Sequence, residues 1–269
     1  MQIFFNGKAI KTNAKDTHEF FANINANKKN VWIINGFATQ DNIKLQENDE
    51  LFYIKRNKIP PKKALEAMMR ARHTPKLHDK LKSANVGIAG LGGLGSHIAI
   101  MLARSGVGRL TLVDFDVIEP SNLNRQGYNV GDLGELKTRA MKKNIKKINP
   151  FIRVKTHTKK VSEKNIESIF KDCDIVCEAF DSAVAKAMLA QHFHTIFPQK
   201  ILITASGLAG FGNSNAIKTQ KIADNFYICG DLKSAASPGN GLIAPRVNLC
   251  AAHEANLVLE LLANGNFSG

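Results

Sequence analysis

An apolar strand that runs straight into a glycine-rich turn constrains this chain more than anything else in it. Asn85–Ala89 reads as a buried strand, and Gly90-Leu91-Gly92-Gly93-Leu94-Gly95-Ser96 follows. Ile98–Ser105 then has helical spacing and stops at Gly106. A turn of this kind lets backbone N–H groups approach a phosphate, and the helix N-terminus adds positive potential. The same pattern also fits a tight strand-to-helix turn without a ligand. Asp114 ends the next strand, Leu110–Asp114, at about the distance where a ribose-binding acid belongs. Those two features suit NAD as well as ATP.

The residues that follow separate the two. Asp116 completes an acid pair with Asp114, the loop beyond carries Asn122, Arg125 and Gln126, and Lys137 opens the next helix after Gly134. Hydride transfer needs no such cations beyond the dinucleotide pyrophosphate. A reaction at phosphorus must stabilise anionic charge, and converging Arg and Lys fit that need. Asp181 follows the strand Asp174–Ala179 at the rim where open α/β sheets bind ligands, and a carboxylate there suits Mg²⁺. The bland alternatives are that Arg125 pairs with Glu119 and that Asp181 caps the following helix.

Periodicity supplies the architecture. A helix over Lys137–Ile148 ends at Asn149-Pro150, and a strand follows at Arg153–Thr156. A helix capped by Ser162 runs through Lys171, and helices at Ala183–Phe197 and Pro245–Ala263 flank a strand at Ile201–Ala205. This alternation predicts an α/β domain over 81–269, a Rossmann-like, mostly parallel sheet with helices on both faces. Residues 1–57 read as a separate unit. A hairpin turns at Asn6-Gly7, and a short helix capped by Asp16 or Thr17 turns Phe20, Phe21 and Ile24 inward. Strands Val31–Ile34 and Leu51–Lys55 complete the order of a β-grasp, or ubiquitin-like, fold. Residues 58–80 form a linker with a helix over Lys62–Arg72.

The formal charge of +14 raises nucleic-acid binding. The lysines read as scattered, with no interleaved aromatics for base stacking, so no nucleic-acid partner is expected. The densest group, Lys137 to Lys147, reads as the wet face of a helix whose Met141, Ile145 and Ile148 point inward. Steering of an acidic protein or a nucleotide triphosphate is the functional alternative. No apolar run reaches membrane-span length and the N-terminus lacks signal-peptide character, so no membrane contact and a cytoplasmic location are expected. Cys173, Cys177, Cys229 and Cys250 form no C-x-x-C pair, so reduced thiols and no zinc are expected.

Taken together, residues 72–263 resemble the ThiF/MoeB family, bacterial relatives of ubiquitin-activating enzymes. The motifs that carry the resemblance are Gly90–Gly95, Asp114-Phe115-Asp116, Ser121–Gln126, Gly134 with Lys137, and Asp181 in Glu178-Ala179-Phe180-Asp181. Arg72-His73-Thr74, Ala205-Ser206-Gly207 and Tyr227–Asp231 resemble the short ThiF-like branch, and residues 1–57 resemble the sulfur carrier ThiS. The resemblance implies ATP-dependent adenylation of the C-terminal glycine of a ThiS-type carrier in thiamine biosynthesis. A molybdopterin-type carrier or a non-catalytic scaffold are the alternatives. By position, Gly90, Gly92, Gly93, Leu94, Gly95, Asp114 and Asp116 would form the nucleotide site. Asn122, Arg125 and Lys137 would hold phosphates, Gln126 would line the same pocket, and Asp181 would bind Mg²⁺. Arg72 would reach into the partner's site of a homodimer.

The chain departs from the family pattern in four places. The zinc cysteines are absent, and the crossover loop Asp231–Gly239 holds no cysteine. Cys229 at its edge is either a substitute sulfur handler or a buried structural thiol, so a separate sulfur donor protein is implied. Pro75 interrupts the usual spacing after Arg72. The ThiS-like unit runs Tyr53–Pro61 into the next domain with no Gly-Gly to release, so it reads as a pseudo-carrier rather than a substrate.

Overall fold

Asn6 (φ 48°) and Gly7 (φ 79°) are both left-handed and close the hairpin between β1 (Gln2–Phe5) and β2 (Lys8–Lys11). This hairpin opens the first of two units, Met1–Asp79 and Lys80–Gly269, of a computed structural model that describes residues 1–74 and 77–265. Pro75 lies outside the described residues.

In the first unit α1 (Thr17–Asn23) is capped by Asp16, whose Oδ1 accepts the Glu19 N–H at 2.9 Å. β3 (Val31–Ile34) pairs with β4 (Phe37–Ala38), and β5 (Glu50–Ile54) lies between β3 and β1, parallel to β1. The strand order is β2-β1-β5-β3-β4. One sheet face takes Phe20 and Phe21 of α1, with Phe21 stacked on Trp32 at 4.0 Å. The other face, Ile33 and Phe52, is covered by Ala67 and Met68 of α2 (Lys62–Met69) and by Ala71. Full burial of Phe21 or Phe52 contributes about 1.5–3 kcal/mol each. Two expectations are corrected. Ile24 is 37% exposed, because α1 ends at Asn23 and left-handed Asn25 turns the chain away. The linker helix ends at Met69, short of Arg72.

A short helix α3 (Leu77–Ser83) leads to β6 (Asn85–Ala89), α4 (Gly93–Ser105) and β7 (Arg109–Val113). Then come α5 (Lys137–Ile148), β8 (Arg153–His157), α6 (Ile166–Phe170), β9 (Ile175–Glu178) and α7 (Ala183–Ile196). β10 (Ile201–Ala205), β11 (Lys218–Ala223), β12 (Phe226–Gly230) and α8 (Ala244–Asn264) complete the unit. The sheet order is β11-β12-β10-β9-β6-β7-β8, parallel except for β11, which pairs antiparallel with β12. β6, β7 and β8 step one way, and the chain then returns to β9 and β10 on the other side of β6. That reversal opens a crevice at the carboxyl ends of β6 and β9.

Helices cover both faces. Leu189 and Phe193 of α7 and Phe170 of α6 pack on Val176 and Leu202, while α4 lies against α8 on the opposite face. α5 buries Met141 and Ile145 and exposes its lysines, except Lys137. α4 begins at Gly93 rather than Ile98, because the glycines themselves enter the helix behind an N-cap at Gly92. α6 begins at Ile166, and Ser162 does not cap it; the Ser162 N–H instead donates to Asn165 Oδ1 at 3.0 Å. β11 and β12, joined through left-handed Asn225, carried no clear period in the sequence. No helix among the described residues is long and apolar enough to cross a membrane.

Candidate nucleotide site

Asp114 is bound into the glycine turn. Its Oδ2 accepts the Leu91 N–H at 2.6 Å and its Oδ1 accepts the Asp116 N–H at 2.8 Å. The carboxylate is thereby fixed at the end of β7 with one lone pair per oxygen left over for a hydroxyl donor. Tyr128 holds the same turn from behind, its O–H donating to the Leu91 carbonyl at 2.9 Å. Burial, then the Asp114 charge, pushes the Tyr128 phenol far above its ordinary value, so it stays a neutral donor.

The glycines divide by what stands over them. A Cβ on Gly95 would lie 1.9 Å from the Gly90 carbonyl oxygen, so only glycine lets α4 fold back onto the turn. Gly90 (φ 96°) approaches Ala179 at the end of β9 in the same way, with 2.8 Å from its Cβ position to the carbonyl oxygen. Gly92 differs. The nearest atom to its Cβ position is Gln126 Nε2 at 3.9 Å, so no neighbour excludes a side chain, and its φ of −74° is not left-handed. Packing does not require glycine there, whereas an incoming phosphate would. No side chain caps α4, so the N–H groups of its first turn have no side-chain acceptor.

Gly90 and Gly92 form one wall of a cavity of about 650 Å³ whose described lining lies wholly in the second unit. Asp114, Asp116, Lys137 and Asp181 converge on it. Lys137 Nζ donates to Asp116 Oδ2 at 2.8 Å. Asp181 is exposed and has no hydrogen-bond or ionic partner among the described residues. The helix after it is capped by Ser182, whose Oγ accepts the Ala185 N–H, so Asp181 is not the cap. Glu178 accepts the Phe180 N–H at 2.6 Å and pairs with Lys186 at 3.0 Å, which fixes the turn that carries Asp181.

Arg125, Gln126 and Asn122 do not line this cavity. Arg125 Cγ lies 3.7 Å from the Cβ position of Gly93, so the side chain packs beside the α4 N-terminus. Its Nη1 donates to the Ser121 carbonyl at 3.0 Å and to Asn124 Oδ1 at 2.8 Å, and no carboxylate pairs with it among the described residues, Glu119 included. His97 Nε2 stands 3.1 Å from the Arg125 carbonyl oxygen, and burial holds that imidazole below its ordinary value. Asn122 Oδ1 accepts the Glu119 N–H at 3.1 Å. Gln126 is buried, and its Oε1 has no hydrogen-bond partner among the described residues. Leu94 and Gly95 are buried in α4, and Gly93 packs on Val247. Arg72 belongs to the first unit and is exposed.

The cavity also holds residues that motif reading passed over. Lys159, Lys160 and Lys164 line it from the loop after β8, and Val161, Phe180 and Met188 give it an apolar wall. Motif spacing does not place these lysines: Lys164 falls in the helix predicted after Ser162, and Lys159 and Lys160 precede that helix. The four cysteines are free and buried. Burial pushes the Cys229 thiol up to about 12, so it is no nucleophile near neutrality. No group of three or more His, Cys, Asp or Glu residues among the described ones is arranged to hold a metal.

Residues 66–266 match the family model described as the ThiF family, and residues 1–57 match the one described as ThiS-like ubiquitin. The adenylyltransferase and sulfurtransferase UBA4 of Candida glabrata is 30% identical over 198 residues, covering 70% of this chain and 45% of that protein. A Mycobacterium tuberculosis protein named "Probable adenylyltransferase/sulfurtransferase MoeZ" is 37% identical over 111 residues, 41% of this chain and 28% of its own. The chain thus spans less than half the length of these relatives. The E. coli tRNA N6-threonylcarbamoyladenosine dehydratase TcdA, solved with AMP, superposes with a TM-score of 0.67 at 21% identity, over 76% of this chain and 98% of that one. At that identity the likeness is one of fold.

Proposed function

This chain belongs to the ThiF family, and from that premise we propose that it is an ATP-dependent adenylyltransferase that activates the C-terminal glycine of a ubiquitin-like sulfur carrier. The observation that carries the reading is the convergence of Asp114, Lys137 and Asp181 on one cavity beside an open Gly92. The two hydroxyls of a ribose suit Asp114, and the phosphates suit the uncapped start of α4. Mg²⁺ fits Asp181, since that ion takes one or two carboxylates together with substrate phosphates. It would supply charge neutralisation between the phosphates.

The chemistry needs no general base. A C-terminal carboxylate has a pKa of roughly 3.5 and is ionised near neutrality. Its oxygen forms a bond to the α-phosphorus, the bond from that phosphorus to the bridging oxygen breaks, and pyrophosphate leaves with its electrons. Lys137, held in place by Asp116, stabilises the charge that develops there, and positioning supplies the rest. Arg125 reaches the outer phosphates by exchanging its bonds to Ser121 and Asn124 for them, with Asn122 and Gln126 alongside. Arg72 acts from the partner of a homodimer.

The ThiS-like match over 1–57 favours a ThiS-type carrier and thiamine biosynthesis over a molybdopterin-type one. The unit itself, lacking Gly-Gly, serves as a pseudo-carrier. With Cys229 buried, sulfur comes from another protein. ATP–pyrophosphate exchange, measured with a separate Gly-Gly-ended carrier, tests the whole reading. Exchange that depends on the carrier's last glycine is expected. Nucleotide binding without exchange would leave a scaffold, and a preference for NAD would overturn the assignment.

A further inference from the structure

Residues 137–171 hold twelve Lys and Arg against two Glu, so this one segment carries +10 of the chain's +14. Twelve of the chain's 37 Lys and Arg thus fall in one stretch, and the fold sets α5 against β8 at one edge of the second unit's sheet. The segment comprises α5, the edge strand β8, the cavity-lining loop and α6. α5 exposes Arg139, Lys142, Lys143, Lys146 and Lys147 at helical spacing on one stripe. β8 turns Arg153 and Lys155 to solvent while burying Val154 between them. A hydrogen bond of 2.7 Å between the Thr138 and Thr158 hydroxyls ties the first turn of α5 to the start of the lysine loop. The stripe therefore continues through Lys159, Lys160 and Lys164 into the nucleotide cavity.

Little neutralises it. Glu135 holds Lys143 at 2.6 Å, and Asp172 stands 3.7 Å from Lys155. Lys142, Lys147, Lys159, Lys160 and Lys164 have no acidic partner among the described residues. None of the large exposed hydrophobic side chains falls within 137–171. A protein partner needs an apolar centre of contact, and the segment itself offers none, the nearest large exposed hydrophobics in sequence being Val130 and Leu133 before α5. Stacking of unpaired bases would need exposed aromatic rings, which it lacks as well. What a wet, predominantly cationic margin holds well is a regular series of phosphates.

We propose that the α5–β8 margin binds the phosphate backbone of a double-helical nucleic acid, and that the bound helix is led toward the nucleotide cavity by the 159–164 loop. The proposal stands apart from the adenylation reading, since it rests on the distribution of charge outside the catalytic residues.

The test is fluorescence anisotropy of the full chain with a labelled RNA hairpin and with duplex DNA of equal length, across a salt series. Five phosphate contacts predict a log–log slope of roughly −4.5, or about a 500-fold loss of affinity between 50 and 200 mM salt. Arg139→Glu, Lys142→Glu and Lys147→Glu combined should weaken binding at least 30-fold and leave pyrophosphate exchange unchanged. The control Lys218→Glu, Lys221→Glu and Lys233→Glu removes equal charge elsewhere in the unit and should change affinity less than 3-fold. Tighter binding of one duplex would identify which polymer the margin serves. No binding of either at 50 mM salt, equal losses in both variants, or displacement of the duplex by polyglutamate at equal charge would overturn the proposal.

Discussion

Lys137 Nζ lies 2.8 Å from Asp116 Oδ2, with the lysine side chain 7% exposed and the aspartate 48%. The ammonium is thus aimed into the cavity before any nucleotide arrives, while its partner stays hydrated. A half-exposed pair of this kind contributes only about 1 kcal/mol to stability. Lys137→Met should therefore shift the urea midpoint slightly and lower pyrophosphate exchange 100-fold or more. A large loss of stability with exchange preserved would make Lys137 a structural residue.

Gly92 and Gly95 offer a contrast within one turn. Gly95→Ala places a methyl 1.9 Å from the Gly90 carbonyl oxygen and should destabilise the second unit by several kcal/mol, read as lost soluble yield or a fall in melting temperature. Gly92→Ala meets nothing closer than 3.9 Å and should cost far less stability than Gly95→Ala. Its methyl instead occupies phosphate space, so ATP affinity by calorimetry should drop at least tenfold. Normal affinity in Gly92→Ala would remove the turn from the binding site.

Glu254 is fully buried, and neither carboxyl oxygen has a hydrogen-bond partner among the described residues. Burial, reinforced by the Glu178 charge nearby, raises its pKa well above the ordinary 4.5. The folded state therefore retains a proton that the unfolded chain releases. Stability from this group is complete below about pH 4.5 and declines as pH climbs toward the raised folded value, by at most about 1.4 kcal/mol per pH unit. Glu254→Gln should abolish that slope and stabilise the protein more at pH 8 than at pH 5 in urea titrations. Parallel pH profiles for the two proteins would show that Glu254 is ionised in the fold.

Cys229 sits in β12 opposite Thr219 of β11, its thiol 3.6 Å from Thr219 Oγ1 and wholly buried. Native protein treated with iodoacetamide at pH 8 should leave it unmodified over the time in which a free peptide thiol reacts fully. Cys229→Ala should keep exchange within twofold of the parent. Fast alkylation of Cys229 would restore it as a sulfur handler.

Much of this fold was legible because local signals and packing agree. The bounds of α5 follow from Lys137 to Asn149-Pro150, and the hairpin follows from Asn6-Gly7. Other features depend on the assembled sheet. β11 reads Lys-Thr-Gln-Lys-Ile-Ala, nearly all exposed, and exists as a strand because β12 offers it an edge. Ser162 resembles a helix cap, yet Asn165 takes its N–H and the loop is spent on lining the cavity. At the site, the motif residues Asp114, Lys137 and Asp181 meet in space. Arg125 and Gln126 instead pack against the glycine turn, a placement that side-chain hydrogen bonds decide and chain spacing does not encode.

A crystal of the protein soaked with ATP and magnesium gives the most direct reading of the central claim. The account predicts ribose hydroxyls on Asp114, phosphate against Gly92 and the α4 N-terminus, and Lys137 Nζ within hydrogen-bonding distance of a phosphate oxygen. A nucleotide bound with Lys137 and Arg125 both turned away from its triphosphate, or bound outside the cavity altogether, would contradict it.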